Sequence, residues 1–504
     1  MRRREVLKLM AMAPFAFTPP HHYDPDWGSI DTRPIPQWWI DAKFGVFIVW
    51  GVYSVPAYAP VHTNGETPYS GWYWHSLVEG KKAASIADDG FLTWAFHKRV
   101  YGADFSYFDF APMFRAELFD PAEWIDLCVR SGARYAIQAT KHHDGFTLWK
   151  SQEADISWGR PWNSVDIGPK RDLVMDLREE GLRRGLRMGI YYSLYEWYNP
   201  LWLSDRRRYV TEHMFRQFKD IVRRAEPSVI FTDGEWELTS AEWRSPELLQ
   251  WLFNDSPVAS EVVVNDRWGK DTRHNHGGYY TTEYTAGMQG ATHPWEESRG
   301  IGYSYPYNRM KSVDDYHTSR ELILMLIDLV SRGGNFLLAI GGTADGRIPL
   351  IMQERLIAIG DWLKVNGEAI YGTHQLPRSR QWSAGTVPTM EQKVFGVPYS
   401  ITQMVDTPSP GFARVDAFFT AKDDLIYVLL PRRPEKTIML DRMVGNAGEK
   451  ITLLESGDVL HSRARGHRLE IEVPDKLLCS LPDRPAYVIK MAGVRSAFED
   501  GGAT

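Results

Sequence analysis

The sequence predicts an α/β fold: a (β/α)8 barrel followed by a small C-terminal antiparallel β-sandwich. Apolar runs rich in β-branched and aromatic residues recur at 46–50, 135–140, 187–192, 228–232, 261–265 and 335–340. Several are bounded by glycine and followed by polar residues, the pattern of buried parallel strands whose C-terminal ends carry function. Helical patterns alternate with them, and a repeated strand–helix alternation over about 300 residues is the signature of a barrel. Beyond about Gly372 helical periodicity disappears, and short strands at 425–430, 450–454, 469–473 and 486–490 alternate with turn residues. A chain of 504 residues exceeds what one hydrophobic core normally serves, which agrees with two folded units.

The elements follow in order. Residues 1–25 read as an export signal: Arg2-Arg3-Arg4-Glu5-Val6-Leu7-Lys8 precedes a short apolar run ending at Phe17, too short to span a membrane. It resembles a twin-arginine signal, which implies a folded protein delivered to the periplasm or secreted. Residues 26–372 form the expected barrel and 373–504 the sandwich. Within the barrel, Asp120-Pro121-Ala122-Glu123 offers an N-cap, a first-turn proline and a capping-box glutamate for the helix through Trp124, Leu127 and Cys128. Residues 173–184 and 319–331 show the same helical spacing.

Composition narrows the function. A net charge of -6 over this length gives no basic field for phosphate backbones, so nucleic acid is not an expected partner. No stretch is long and apolar enough to predict a membrane span. The two cysteines, Cys128 and Cys479, exclude a disulfide framework and a cysteine metal cluster. Aromatic residues make up 13% of the chain, with 20 Trp and 24 Tyr, and aromatic faces suit the apolar faces of sugars as well as large cores.

The most informative string is Lys141-His142-His143-Asp144-Gly145-Phe146, directly after an apolar strand. Two imidazoles, a cation and a carboxylate leaving a rigid sheet predict an enzyme. Adjacent histidines point in opposite directions and no His-x-x-x-His spacing lies near them, so a metal site is not expected. His274 and His276, in Arg273-His-Asn-His-Gly277, form a nuclease-like string without a basic groove to serve it.

Seven segments, in order, make the chain resemble the α-L-fucosidases of glycoside hydrolase family 29 between about residues 37 and 373. They are Trp39 to Ile48 with Trp50-Gly51, Lys141 to Phe146, Trp162 to Leu173, Tyr191-Tyr192-Ser193, Trp295-Glu296, Arg332 to Asn335 with Thr343 to Gly346, and Asn366 to Thr373. The resemblance implies retaining hydrolysis of an α-L-glycoside by two carboxylates, without metal or organic cofactor, on a fucose-containing or related glycan. Asp233, at the end of Val229-Ile-Phe-Thr-Asp, occupies the family's nucleophile position. Glu283 is the favoured acid/base, Glu296 the alternative and Glu297 a third choice. His142, His143, Tyr191 (or Tyr192) and Arg267 match sugar-contacting positions, with Trp72 and Trp50 expected at the pocket and Trp74 at its entrance.

Departures from the family pattern bear on the substrate. Val49 stands where the family usually has a histidine, Gly71 where it has a glutamate, and Phe231 where it has a tryptophan. Each lost hydroxyl ligand leaves a sugar hydroxyl unpaired at a cost of about 1 to 3 kcal/mol. The expectation is a re-specified pocket, for a fucoside held by other residues or for a relative substituted by sulfate or another sugar. The alternative is a catalytically silent carbohydrate-binding protein on the same barrel, against which the intact Asp233 counts. A third reading is a metal hydrolase built on the histidine pair.

Overall fold

In the computed structural model, residues 22–61, 69–82, 89–389 and 399–497 are described. The export-signal reading falls on residues 1–21, outside them, although Tyr23 is already docked: its N–H donates to Asn254 and its ring meets Phe253 edge-on. Eight parallel strands form the first sheet: β1 Phe44–Ile48, β2 Tyr135–Lys141, β3 Arg187–Ser193, β4 Val229–Asp233, β5 Val263–Val264, β6 Tyr280–Glu283, β7 Trp295–Gly300 and β8 Asn335–Ile340. Their spatial order is β5-β4-β3-β2-β1-β8-β7-β6. A parallel bridge between Asn265 and Tyr279 joins the two edges, closing the sheet into a barrel.

Helices α1 (Pro121–Arg130), α2 (Leu173–Arg184), α3 (Phe215–Ala225), α4 (Ser245–Asn254), α5 (Ser319–Ser331) and α6 (Leu350–Asn366) cover it. Their ends follow from sequence. Asp120 accepts the Ala122 N–H at 2.8 Å and Pro121 opens α1, while Thr318 and Glu321 form a reciprocal capping box on α5. Glycines in the left-handed region stop α2 and the short helix Gln152–Trp158.

Four predicted strands coincide with β2, β3, β4 and β8 to within a residue or so, and β1 and β5 are offset or shorter. Strands β6 and β7 are not among the strands the sequence predicts. The reason is physical: Tyr-Thr-Thr-Glu and Trp-Glu-Glu-Ser-Arg-Gly carry no apolar run, because buried polar side chains on the helix-facing side of the sheet bond one another. Glu297 pairs with Arg299 at 2.6 Å and accepts from the Thr285 N–H and hydroxyl, all within the interior. A strand satisfied by buried ion pairs has no hydrophobic periodicity to read.

The second sheet holds β9 Arg380–Trp382, β10 Val415–Lys422, β11 Leu425–Leu430, β12 Thr437–Asp441, β13 Met443–Leu453, β14 Val459–Arg465, β15 Arg468–Glu472 and β16 Tyr487–Ser496, all antiparallel. Gln381 on β9 exchanges two hydrogen bonds with the backbone of Met439 and Asp441 on β12, so the two edges meet and the sheet folds over its own core. Alternation along β10 and β11 divides their side chains: Phe419 and Val428 enter that core, while Phe418, Tyr427 and Leu429 join the barrel's core.

Candidate active site

Strand β4 delivers Asp233 to the C-terminal mouth of the barrel. Val229, Ile230 and Phe231 are buried, and Asp233 is level with Ser193 of β3. The next residue, Gly234, has φ +73, and a Cβ there would lie 2.6 Å from the Tyr195 ring, so the turn that frees Asp233 requires glycine. Around the carboxylate, Arg267 Nη1 donates to Oδ1 at 3.0 Å and the Tyr191 hydroxyl to Oδ2 at 2.9 Å. His143 Nε2 lies 3.5 Å from Oδ2 and Arg273 Nη2 3.9 Å from Oδ1. Burial alone would raise the proton affinity of Asp233, but Arg267, His143 and Arg273 outweigh it and hold the carboxyl well below the usual range.

Arg267 is the hinge of the site. It leaves the loop after β5 and reaches the neighbouring β6, donating from Nε to Thr281 Oγ1 at 3.1 Å and from Nη2 to Glu283 Oε2 at 3.0 Å. It makes no pair with Asp266, whose carboxylate is occupied by the His274 N–H and by Thr281. One guanidinium therefore bridges Asp233 and Glu283, each 13% exposed at the side chain. The fork fixes both in orientation as well as charge.

Glu296 lies elsewhere. In register it is level with Thr281, two residues below Glu283, or about 6.6 Å deeper along the strand. It is fully buried at the barrel floor, where the Tyr135 hydroxyl donates to Oε2. Burial, partly offset by Tyr135, Tyr279 and Arg267, pushes its carboxyl up to about 8. Glu297 is likewise buried and committed to Arg299, Thr282 and Thr285.

A cavity of about 420 Å³ opens above Asp233, lined by Phe47, Val49, Tyr69, Gly71, Trp72, His142, Tyr191, Phe231, Asp233, Trp236, Arg267, Arg273, Glu283, Tyr305 and Pro306. Of the expected substrate-contacting residues it gathers His142, Tyr191, Arg267 and Trp72. His143 stands behind this lining, between Asp233 and Ser193. The Ser193 hydroxyl is spent on Tyr195 O at 2.7 Å, so the 2.6 Å contact with His143 Nδ1 places a proton on that nitrogen. Neither Lys141 nor Asp144 holds an imidazole: Lys141 pairs with Glu196 at 2.9 Å and Asp144 accepts from Tyr107.

Trp50 is not at the pocket. It is 1% exposed, packs against Phe114, Phe119 and Trp124, and donates its indole N–H to Thr343 O. It sits one residue beyond Val49, and successive residues of an extended segment face opposite sides. Tyr192 also points away, hydrogen-bonding Gln217. Trp74 stacks on Tyr107 within the aromatic shell.

Sequence reasoning missed Arg273 and Trp236. Arg273 belongs to the string Arg273-His-Asn-His, where attention fell on the histidines; its Nε donates to the buried Glu235 at 2.5 Å and it turns its remaining edge toward Asp233. Trp236, 38% exposed, follows the nucleophile strand by three residues and rests against Trp72 and His143. Among the described residues, no cluster of three or more His, Cys, Asp or Glu is arranged as a metal site.

Comparison with known proteins agrees with this architecture. The chain is 38% identical over 488 residues to the tissue alpha-L-fucosidase of Homo sapiens, covering 95% of this chain and 93% of that protein. It is 44% identical over 360 residues to an alpha-L-fucosidase of Dictyostelium discoideum, covering 70% and 74%. The crystal structure of Thermotoga maritima alpha-fucosidase in complex with fucose superposes with a TM-score of 0.73 at 33% identity, covering 94% of this chain and all of that one. The family described as Alpha-L-fucosidase matches residues 11–368, and the chain belongs to this family, glycoside hydrolase family 29.

Proposed function

We propose that the protein is a retaining exo-glycosidase that hydrolyses α-L-fucosides or closely related α-L-glycosides of oligosaccharides and polysaccharides. The observation that carries this reading is the guanidinium of Arg267 joining Asp233 and Glu283, both of which line the cavity at the barrel mouth. Asp233 is the nucleophile, because its contacts favour the ionised form and it faces the cavity. Its carboxylate attacks the anomeric carbon as the glycosidic C–O bond breaks, and Glu283 gives its proton to the departing oxygen. In the second step Glu283 takes a proton from water, water oxygen bonds the anomeric carbon, and the Asp233 carboxylate is released. Retention needs carboxyls about 5 to 5.5 Å apart, which a two-pronged bridge is suited to hold.

Glu283 is preferred to Glu296 because it lines the cavity, whereas Glu296 sits below it among Tyr135 and Tyr279. His142 and Trp72 contact the sugar, and Tyr191 and His143 orient Asp233. The twin-arginine-like residues 2–8 support export to the periplasm or beyond, and the change of strand pattern near residue 372 supports division into a catalytic barrel and a β-sandwich.

The test is kinetic. Asp233→Ala should lower kcat/KM on a nitrophenyl α-L-fucoside by at least about 10³-fold, roughly 4 kcal/mol of barrier, and azide should restore turnover with an inverted glycosyl azide as product. Unchanged turnover in the variant would remove Asp233 from the mechanism.

A further inference from the structure

The polar groups of the cavity are unevenly placed. Asp233, Glu283, Arg267 and Arg273 cluster at the reaction centre, and His142 stands beside them. Val49, Gly71 and Pro306, with Phe47, add no hydrogen-bonding side chain of their own to the side of the lining they form, and the polar groups nearest them are His142 at the edge of Gly71 and the phenols of Tyr69 and Tyr305, of which Tyr305 donates to Ser298 O. Gly71 makes a recess there. A Cβ at Gly71 would lie 3.2 Å from Pro306 Cγ, 3.6 Å from His142 Cε1 and 3.7 Å from His142 Nε2, so one methyl group would begin to fill it. His142 is kept neutral by burial and by His143, and its Nδ1 is buried without a protein partner. It can serve one sugar hydroxyl, and Val49, Gly71 and Pro306 themselves offer no polar side chain for another.

A free hydroxyl pressed against that side loses water and gains nothing in return. An ether or ester there keeps no unpaired donor and buries apolar surface. A charged substituent is disfavoured by the same inventory. Arg267 is committed to Asp233, Glu283 and Thr281 and Arg273 to Glu235, and the two carboxylates facing the cavity repel an anion.

We propose that the preferred glycon carries a small uncharged substituent, an O-methyl or O-acetyl group, on the hydroxyl that faces Val49, Gly71 and Pro306. This deepens the α-L-glycosidase reading and rests on it. The cavity volume, within the range of small-molecule sites, accommodates a 6-deoxyhexose with such a group.

The experiment compares kcat/KM of the full-length protein on nitrophenyl α-L-fucoside and on its singly O-methylated, O-acetylated and O-sulfated derivatives at each ring hydroxyl. One methylated or acetylated isomer should exceed the parent at least tenfold, and the sulfate at that position should not. Gly71→Ala should lower the ratio of substituted to parent kcat/KM at least tenfold, and Val49→Thr, which adds a hydroxyl at nearly constant volume, at least threefold; thermal melts establish that both variants fold. A parent fucoside that remains the best substrate, or a sulfated one that surpasses all others, overturns the inference and leaves the glycosidase reading standing. Absence of Asp233-dependent turnover on every compound overturns both.

Discussion

Two guanidiniums, an imidazole and a phenol converge on the carboxylate of Asp233, and they account for its ionised state better than its burial does. Arg267 is the closest of the charged contacts and the one shared with Glu283. Arg267→Met should therefore cost on the order of 10²-fold in kcat/KM, a loss of about 3 kcal/mol. The sign of the pH effect follows from the same contact. Removing a cation that depresses a carboxylic acid raises its pKa, so the acidic limb of the kcat/KM profile should move to higher pH. A limb that stays in place would show that the other neighbours suffice. Single residues also mark where sequence reasoning reached. Asp233 and Arg267 were legible because each matches a position of the family pattern after an apolar strand, whereas Arg273 lies in a loop whose course is set by contacts with Glu235, Asp266 and the distant Asp31. Trp50 looked like a pocket residue because it stands in a family segment, but strand alternation turns it into the barrel's outer aromatic packing.

At the scale of elements, β6 and β7 position the two acid/base candidates, and they were the strands hidden from hydrophobic pattern. Their register sets Glu283 at the rim and Glu296 at the floor. Glu296→Gln should hold kcat/KM within about tenfold of wild type, while Glu283→Gln should lose at least about 10²-fold. Glu296 also predicts a stability profile. Its folded-state pKa of about 8 exceeds the ordinary glutamate value of 4.5, so between these values the folded state retains a proton that the unfolded chain releases. Stability then falls as pH rises through that window, by at most about 1.4 kcal/mol per unit. Glu296→Gln removes the slope, so its gain in denaturation midpoint over wild type should be larger at pH 8 than at pH 5. An equal gain at both would contradict the raised value.

For the whole molecule, the barrel and the C-terminal sheet share a buried polar contact as well as an apolar face. Asp328 on α5 accepts from Arg332 at 2.8 Å, from Arg380 of β9 at 2.7 Å and from the Tyr399 hydroxyl at 2.8 Å. Phe418, Tyr427, Leu429 and Val488 of the second sheet pack into the barrel's core. Replacing Asp328 by alanine leaves two buried guanidiniums short of their anion and should cost about 3 to 5 kcal/mol, read as a lower denaturant midpoint. An unchanged midpoint would mean that the two units do not support each other. The strands that carry apolar runs were readable from sequence because they rest on local pattern. The contact between the units was not, because Asp328, Arg380 and Tyr399 are polar residues whose partnership exists only in the folded chain.

The central claim is that Asp233 becomes covalently attached to the sugar. Incubation with a 2-deoxy-2-fluoro α-L-fucosyl donor, followed by proteolysis and mass spectrometry of the trapped protein, tests it directly. The expected result is one added glycosyl group on the peptide containing Asp233, absent from Asp233→Ala. A label on another carboxylate, or substrate turnover with no covalent species and inverted product, would contradict the account.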